Sequence, residues 1–397
     1  MRKIAATYIF TPQNQFLKNG ILICEDDGTI IDILRSGEII REQSGLEYYS
    51  GILVPGFVNT HCHLELSYLK GKIEENAGIG NFLKKINQQR NDKPENADSI
   101  FQHNDRKMWA NGIAATGDIS NTADTIEVKK KSKIYYHTFI ESFGFHPSRA
   151  ERAFEIANQL KSEFDNHRLP NSITPHSAYA VSAPLFKKII ENARINQSLI
   201  SIHNQESESE NQFFKFRNGP IAEHFQHNLK IDISHWKPTE KNSLSYLLNH
   251  IPNESPLLLV HNTFTQKSDI EEIRRRRKTG NTSFVICPNS NLFIENQLPP
   301  VSLFQSEKLN ICIGTDSLAS NHKLSILSEL MTLQSNFPKI SLEELLTWAC
   351  VNGAKALGLE NRFGSFEPNK KPGINLITGI DFKTRKLTSE SKLKRLG

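Results

Sequence analysis

The sequence predicts an α/β fold: a (β/α)8 TIM-like barrel with a small β-sandwich domain built from both termini. Three observations carry this. Eight short apolar runs, rich in β-branched residues, each end in polar side chains of the kind used in catalysis. Segments with helical spacing lie between those runs. The two ends of the chain read instead as short strands and turns. Strands alternating with helices imply a parallel sheet. Eight such units over about 300 residues fit a closed barrel better than a doubly wound open sheet.

The N-terminal stretch "ILICEDDGTIIDIL" (Ile21 to Leu34) is two apolar runs around Asp26-Asp27-Gly28, a hairpin signal. Residues 1–53 are therefore assigned to the β-sandwich. The barrel follows over residues 54–359. Its runs are "GFVNTHCHL" from Gly56, "IAATGDIS" from Ile113, "KIYYHTFIESFG" from Lys133 and "SITPHSAY" from Ser172. "LISIHNQES" from Leu199, "PLLLVHNTF" from Pro256, "SFVICPNSN" from Ser283 and "NICIGTDSL" from Asn310 complete the set. Helical spacing marks "IGNFLKKINQQR", "RAERAFEIANQLKSEF", "APLFKKIIENAR", "EKNSLSYLLNHI" and "SDIEEIRRRRK". "FGSFEPNKKPGINLITGI" (Phe363 to Ile380) returns to short strands with Gly and Pro punctuation, so residues 360–397 complete the sandwich.

Of 397 residues, 38% are hydrophobic and 23% charged, the balance of a globular protein with a substantial core. The net charge of +5 is too small for this length to argue for nucleic acid. The start, "MRKIAATYIFTPQNQF", does not read as a signal peptide. No run approaches the ~18 apolar residues of a membrane span. Five scattered cysteines argue against a disulfide framework and for a cytoplasmic location. The expected partner is a small-molecule substrate, with neither nucleic acid nor membrane, and a homodimer is allowed as an assembly. The run "EEIRRRRK" (Glu271 to Lys278) pairs Glu271 with Arg275 and Glu272 with Arg276 at helical spacing, which makes it a solvated outer helix. "KTRKLTSESKLKRLG" at the end is expected to fray.

The stretch "PGFVNTHCHLELSYL" (Pro55 to Leu69) carries the strongest chemical signal. A strand places residues i and i+2 on one face, so His61 and His63 point together and Cys62 points away, into the core. In a (β/α)8 barrel, functional residues stand at the C-terminal strand ends. There the first run ends in His61 and His63, the fifth in His203, the sixth in His261 and the eighth in Asp316. Three histidines and a carboxylate suit a divalent transition metal such as zinc or iron, with one position left open for water. Any one of these histidines taken alone is more often a hydrogen-bonded core residue than a ligand. Their joint placement at predicted strand ends is what points to a metal.

"VPGFVNTHCHLELS", "SIHNQES", "LLLVHNTF", "CPNSN" and "IGTDSLASNHKLSILSEL" together resemble the amidohydrolase superfamily, in its mononuclear deaminase branch. The resemblance covers nearly the whole chain. It implies that His61, His63, His203 and Asp316 ligate one metal ion, zinc first and iron as the alternative. In the H-x-x-E pattern from His203, it implies that Glu206 shuttles protons. It implies that His261 contacts the attacking water without being a ligand. Binuclear relatives carry a lysine at the end of the fourth strand, where this chain has "TPHSAY" and so a single metal is expected. His176 sits there and is expected to touch substrate. Glu65, Glu141 and Ser317, near the ends of the first, third and eighth runs, are taken as further substrate contacts.

The activity so implied is hydrolytic removal of an amino group from an sp2 carbon beside a ring nitrogen, with release of ammonia. Asp316 would accept the proton of water, and Glu206 would pass protons to the ring nitrogen and the leaving amine. "HxHLELS" and "GTDSLASNHKLSIL" look most like deaminases of adenosine nucleosides and aminofutalosine. The matching stretch "GIGNFLKKI" (Gly78 to Ile86) lacks the ribose-binding glutamate of adenosylhomocysteine-type members. The expected substrate is a 6-aminopurine nucleoside with a 5′-linked group, 6-amino-6-deoxyfutalosine of menaquinone biosynthesis first among them. The alternatives are a chlorohydrolase or another C–N amidohydrolase on the same scaffold, or a guanine- or adenosylhomocysteine-type deaminase. The segment Glu208 to Asn253 exceeds an ordinary βα connection. In it, Trp236 and His235 are candidates to cap the substrate, and an extra packed helix is the other reading.

Overall fold

The computed structural model describes residues 1–35 and 44–397; residues 36–43 of the expected N-terminal unit lie outside the described residues. Short apolar runs at the N-terminus build β1 (Arg2–Phe10), β2 (Phe16–Lys18), β3 (Gly20–Cys24), β4 (Ile30–Arg35) and β5 (Leu46–Pro55). The Asp-Asp-Gly signal is a hairpin: β3 and β4 pair antiparallel, and Gly28 takes φ +88°, which a side chain would oppose. Leaving β5, the chain passes Gly56. A Cβ there would lie 2.4 Å from the Pro372 carbonyl and 2.5 Å from Ala114, so only glycine fits where the two parts of the molecule meet.

Eight parallel strands follow: β6 (Phe57–Cys62), β7 (Ile113–Ser120), β8 (Tyr135–Ser142), β9 (Asn171–Pro175), β10 (Ile200–Asn204), β11 (Leu257–His261), β12 (Thr282–Ile286) and β13 (Ile311–Ile313). Each falls on one of the eight apolar runs. They form two four-stranded parallel sheets, ordered β6-β7-β8-β9 and β10-β11-β12-β13. Backbone hydrogen bonds join the sheets at both edges. The Thr315 and Asp316 amides donate to the His61 carbonyl at 3.0 and 3.1 Å, and the His203 amide donates to the His176 carbonyl at 2.9 Å. One apolar cluster holds residues of both sheets, among them Val58, Phe139, Val260 and Val285, with Leu357 and Phe363 from the C-terminal segment. Near-continuous burial along the strands is what helices on a parallel sheet impose. The covering helices include Gly78–Gln89, Ala97–Ala110, Ala150–Asn166, Ala183–Asn196 and Lys267–Arg276. Among the described residues, no helix is long and apolar enough to cross a membrane.

The chain closes with β14 (Ile374–Asp381) and β15 (Lys386–Arg395). They join the N-terminal strands in one seven-stranded sheet, ordered β15-β14-β5-β1-β3-β4, with β2 paired to β1. The expectation of a frayed basic tail is therefore corrected. Leu387 and Ser391 are buried, Leu393 stands opposite Ile377, and Arg395 donates to the Gly112 carbonyl at 3.1 Å. Charge content suggested fraying, but alternation of apolar and polar residues opposite β14 decided for a strand. Two further corrections concern helices. "EKNSLSYLLNHI" is helical only over Ser243–Leu247, capped by the Asn242 side chain. In the arginine run, Arg276 pairs with Glu272 at 2.9 Å as expected. Arg277, however, is buried, and its guanidinium donates to the Pro252 carbonyl at 3.0 Å and the Thr282 hydroxyl at 2.7 Å.

Candidate active site

The ends of β6, β10 and β11 and the turn after β13 converge. His61 and His63 bring their Nε2 atoms within 3.1 Å of each other. Asp316 Oδ1 lies 3.5 Å from His61 Nε2 and 3.3 Å from His63 Nε2. The His203 ring is centred 4.9 Å from that of His61 and 5.4 Å from that of His261. The donor atoms of His61, His63 and His203, and those of His61, His261 and Asp316, form two overlapping groups, each within 4.8 Å.

Backbone geometry at these ends is unusual. Gln205 (φ +47°), His261 (φ +74°) and Asp316 (φ +55°) all take left-handed conformations without being glycine. Each costs about 1–3 kcal/mol and persists only where surroundings over-determine it. At Asp316 they do. Asn59 and Thr315 exchange two hydrogen bonds at 2.8 and 3.1 Å, and the Asn321 amide donates to the Thr315 carbonyl at 2.8 Å. Ser290 and Ser320 hydroxyls donate to Asp316 Oδ2 at 2.6 and 2.5 Å, which leaves Oδ1 turned toward the histidines.

The donor set fits a metal ion. His203 Nδ1 donates to the His176 carbonyl at 2.9 Å, so its Nε2 carries a free lone pair toward the cluster. Burial pushes His63 down to about 4 and His261 to about 3, and pushes His203 down as well, so these rings are neutral at pH 7 and their lone pairs are available. Burial works against ionisation of Asp316, but the His61 hydrogen bond and the nearby imidazoles outweigh it and hold its carboxyl well below the usual range. Two imidazole nitrogens at 3.1 Å beside an ionised carboxylate are an arrangement that a shared divalent cation accommodates.

Beyond the cluster, Glu206 Oε1 stands 3.6 Å from His261 Nε2. Burial, then the charges of Asp316 and Glu210, push the Glu206 carboxyl well above its ordinary value. His176 Nδ1 lies 2.9 Å from Glu141 Oε1, and the charge and hydrogen bond of His176 overcome burial to hold Glu141 ionised. A cleft of about 110 Å³ opens over these groups; His63, Glu141, His176, His203, Glu206, His261, Asp316 and Ser317 all line it. A larger cavity of about 520 Å³, beside Trp109 and Arg106, carries none of them.

Three expected substrate contacts do not line the cleft. Glu65 is turned into the protein, where Oε2 accepts from the Asn121 amide at 2.9 Å and Oε1 pairs with Arg90 at 3.0 Å. It braces the loop after β7, because β6 ends at Cys62 and the chain passes through His63 into a short 3-10 helix, ending the alternation. Trp236 packs in an aromatic cluster, its ring 5.6 Å from Phe213 and 5.1 Å from Tyr246. His235 likewise stands against Phe145 and His146. The long segment is thus self-packed. Sequence reasoning missed Arg90, Asn121 and Phe143, which line the cleft, and the serines that hold Asp316. Ser290 lay in the quoted "CPNSN" and Asn121 directly after a predicted strand; neither pattern by itself tells a site residue from a turn residue.

Comparison with known proteins places the chain in a family. The profile of the amidohydrolase family matches residues 52–394. An adenosine deaminase of Helicobacter pylori is 28% identical over 334 residues, covering 83% of this chain and 80% of that protein. An aminodeoxyfutalosine deaminase of a Nitratiruptor species is 25% identical over 336 residues, covering 83% and 79%. Among solved structures, the aminofutalosine deaminase of Helicobacter pylori in complex with methylthio-coformycin superposes with a TM-score of 0.80. It is 22% identical, covers 96% of this chain and 93% of its own, and the likeness is one of fold.

Proposed function

The chain belongs to the amidohydrolase family, and on that premise we propose that it is a metal-dependent hydrolytic deaminase of a 6-aminopurine nucleoside bearing a 5′-linked group. 6-Amino-6-deoxyfutalosine is the first substrate to test. The observation that carries this reading is the meeting of His61 and His63 with His203 on one side and with Asp316 on the other, and the Glu206–His261 pair standing 3.6 Å apart beside them. Relatives named as deaminases of adenosine and aminodeoxyfutalosine support the substrate class.

In this reading the two parallel sheets, joined at both edges and sharing an apolar cluster, are one (β/α)8 barrel over residues 54–359. The terminal sheet belongs to the family's β-sandwich, residues 1–53 and 360–397. His61, His63, His203 and Asp316 would hold one divalent ion, zinc first and iron as the alternative. Bound there, the ion supplies a water acidified to a pKa of about 7.

The remaining chemistry belongs to the chain's own side chains. Asp316, ionised, accepts the proton of the attacking water. His261 orients that water from the side: its Nδ1 faces the Asn291 amide at 3.4 Å, which favours a proton on Nε2, toward the cleft. Attack builds negative charge on the ring nitrogen. Glu206, kept protonated by burial, donates there; as a carboxylate it then takes the proton of the newly bonded hydroxyl and passes it to the departing amine as the C–N bond breaks and the C=O bond forms, and the proton held by Asp316 restores it. His176, anchored by Glu141, and Ser317 contact the purine. Five buried cysteines, none in a disulfide, support a reducing cytoplasm as its location.

A panel of 6-aminopurine nucleosides, offered to zinc-loaded protein, tests the proposal. The expected result is ammonia release with the ultraviolet shift of adenine to hypoxanthine. Chloride release from a chlorinated heterocycle without any ammonia release from the panel would overturn it in favour of a chlorohydrolase.

A further inference from the structure

Glu210 is fully buried in the first turn of the helix Glu208–Phe216, where the long segment 208–253 begins. Its Oε2 accepts from the backbone amide of Glu206 at 3.3 Å, and the Gln205 amide points at the same carboxyl group. The turn it grips is strained, since Gln205 is left-handed. The far end of the segment grips that turn as well. Asn242 binds Asp269 Oδ1, while Asp269 Oδ2 accepts from Gln205 Nε2 at 3.0 Å and Gln205 Oε1 accepts from Thr265 at 2.6 Å. Trp236, Phe213, Phe214 and Tyr246 pack the two ends into one body. A segment of this length is explained if it fixes the turn that carries the proton donor.

We propose that Glu210 is a positioning residue for proton transfer: through its hold on the Glu206 backbone, the self-packed segment 208–253 sets where the Glu206 carboxyl group reaches into the cleft. This rests on the proton-donor role proposed above for Glu206. A carboxyl group displaced by about 1 Å loses about 10²-fold in rate without losing substrate affinity. Glutamine, of the same shape, keeps a side-chain carbonyl oxygen as acceptor for the Glu206 amide.

The experiment is a double-mutant cycle on the zinc-loaded protein, with kcat, KM, bound zinc and Tm measured for Glu210→Met, Glu210→Gln, Glu206→Gln and the double variant Glu206→Gln/Glu210→Met. Methionine fills the volume without an acceptor. The expected results are a kcat lowered roughly tenfold to a hundredfold in Glu210→Met with KM and zinc content at parental values. Glu210→Gln should retain kcat within about threefold, and Glu210→Met should add no loss in the Glu206→Gln background. Parental kcat in Glu210→Met, losses that multiply in the double variant, or Glu210→Gln as impaired as Glu210→Met would each overturn the proposal. If Glu210→Met does not fold, Glu210→Gln and Glu210→Ala take the same places in the cycle with the same criteria. Near-parental kcat in Glu206→Gln would instead overturn the proton-donor role itself, which keeps the two failures apart.

Discussion

The Ser290 hydroxyl donates to Asp316 Oδ2 at 2.6 Å, so that only Oδ1 of this carboxylate faces His61 and His63. A serine from the helix after β12, Pro288–Glu295, thereby orients a group from the turn after β13. Side chains that orient metal ligands are worth roughly tenfold to a hundredfold in metal affinity. Ser290→Ala should weaken zinc binding by that factor while Ser320 retains part of the hold. Competition against a chromophoric chelator measures it, and an unchanged zinc Kd would count against the orienting role.

Glu206→Gln should keep the fold and a full complement of metal and lose roughly 10²- to 10⁴-fold in kcat. The amide cannot deliver a proton to a ring nitrogen or to a leaving amine. Steady-state ammonia release beside elemental analysis of the same sample decides the point.

Removing the metal should abolish turnover and lower Tm, and zinc should restore both. A ligand present at a thousandfold excess over its Kd stabilises the folded state by about 4 kcal/mol. In a His203→Ala variant, added zinc should raise neither activity nor Tm to the parental level; full rescue would remove His203 from the ligand set.

Lys129 and Asp118 form an ion pair at 2.7 Å with both side chains fully buried, and Asp118 Oδ1 also accepts from the amide of Leu64, directly after His63. Lys129→Met leaves a buried carboxylate unpaired, a loss of about 3–5 kcal/mol in unfolding free energy. Lys129→Met/Asp118→Asn should lose less than Lys129→Met alone, because no charge is stranded. Urea denaturation of the three proteins compares them directly.

His137, on β8 and beside Ser172 Oγ at 3.0 Å, is pushed down to about 4 by burial, from an ordinary 6.5. The fold keeps it neutral where the unfolded chain would charge it. Its contribution to stability is therefore present above the unfolded value of 6.5 and is lost as pH falls toward 4. His137→Gln should flatten that part of the stability profile, seen as a smaller drop in urea midpoint between about pH 7 and pH 4.5. An unchanged drop would mean that His137 does not carry it.

Much of the fold was legible because strand and helix write different periods into the chain. All eight parallel strands fall on apolar runs of the sequence, and His61 and His63 meet as a two-residue repeat predicts, although β6 itself ends at Cys62. The same rule failed two residues later. Glu65 would share that face if β6 continued, but the chain turns into a 3-10 helix after His63, and Glu65 braces the loop after β7 instead. Trp236 failed differently. An aromatic residue in a long connection reads the same from sequence whether it caps a ligand or packs on Phe213. The basic C-terminal stretch looked frayed because charge is a local property, while its partner strand is not.

By itself, then, the sequence determined the kinds and order of the elements and which side chains stand at the strand ends, since both follow from periodicity within a few residues. Only the tertiary structure decided which of those side chains meet. Asn59 reaches Thr315 across 256 positions, and that closure brings Asp316 to His61. Contacts of this range depend on how the two sheets are joined, and no local pattern of residues encodes that.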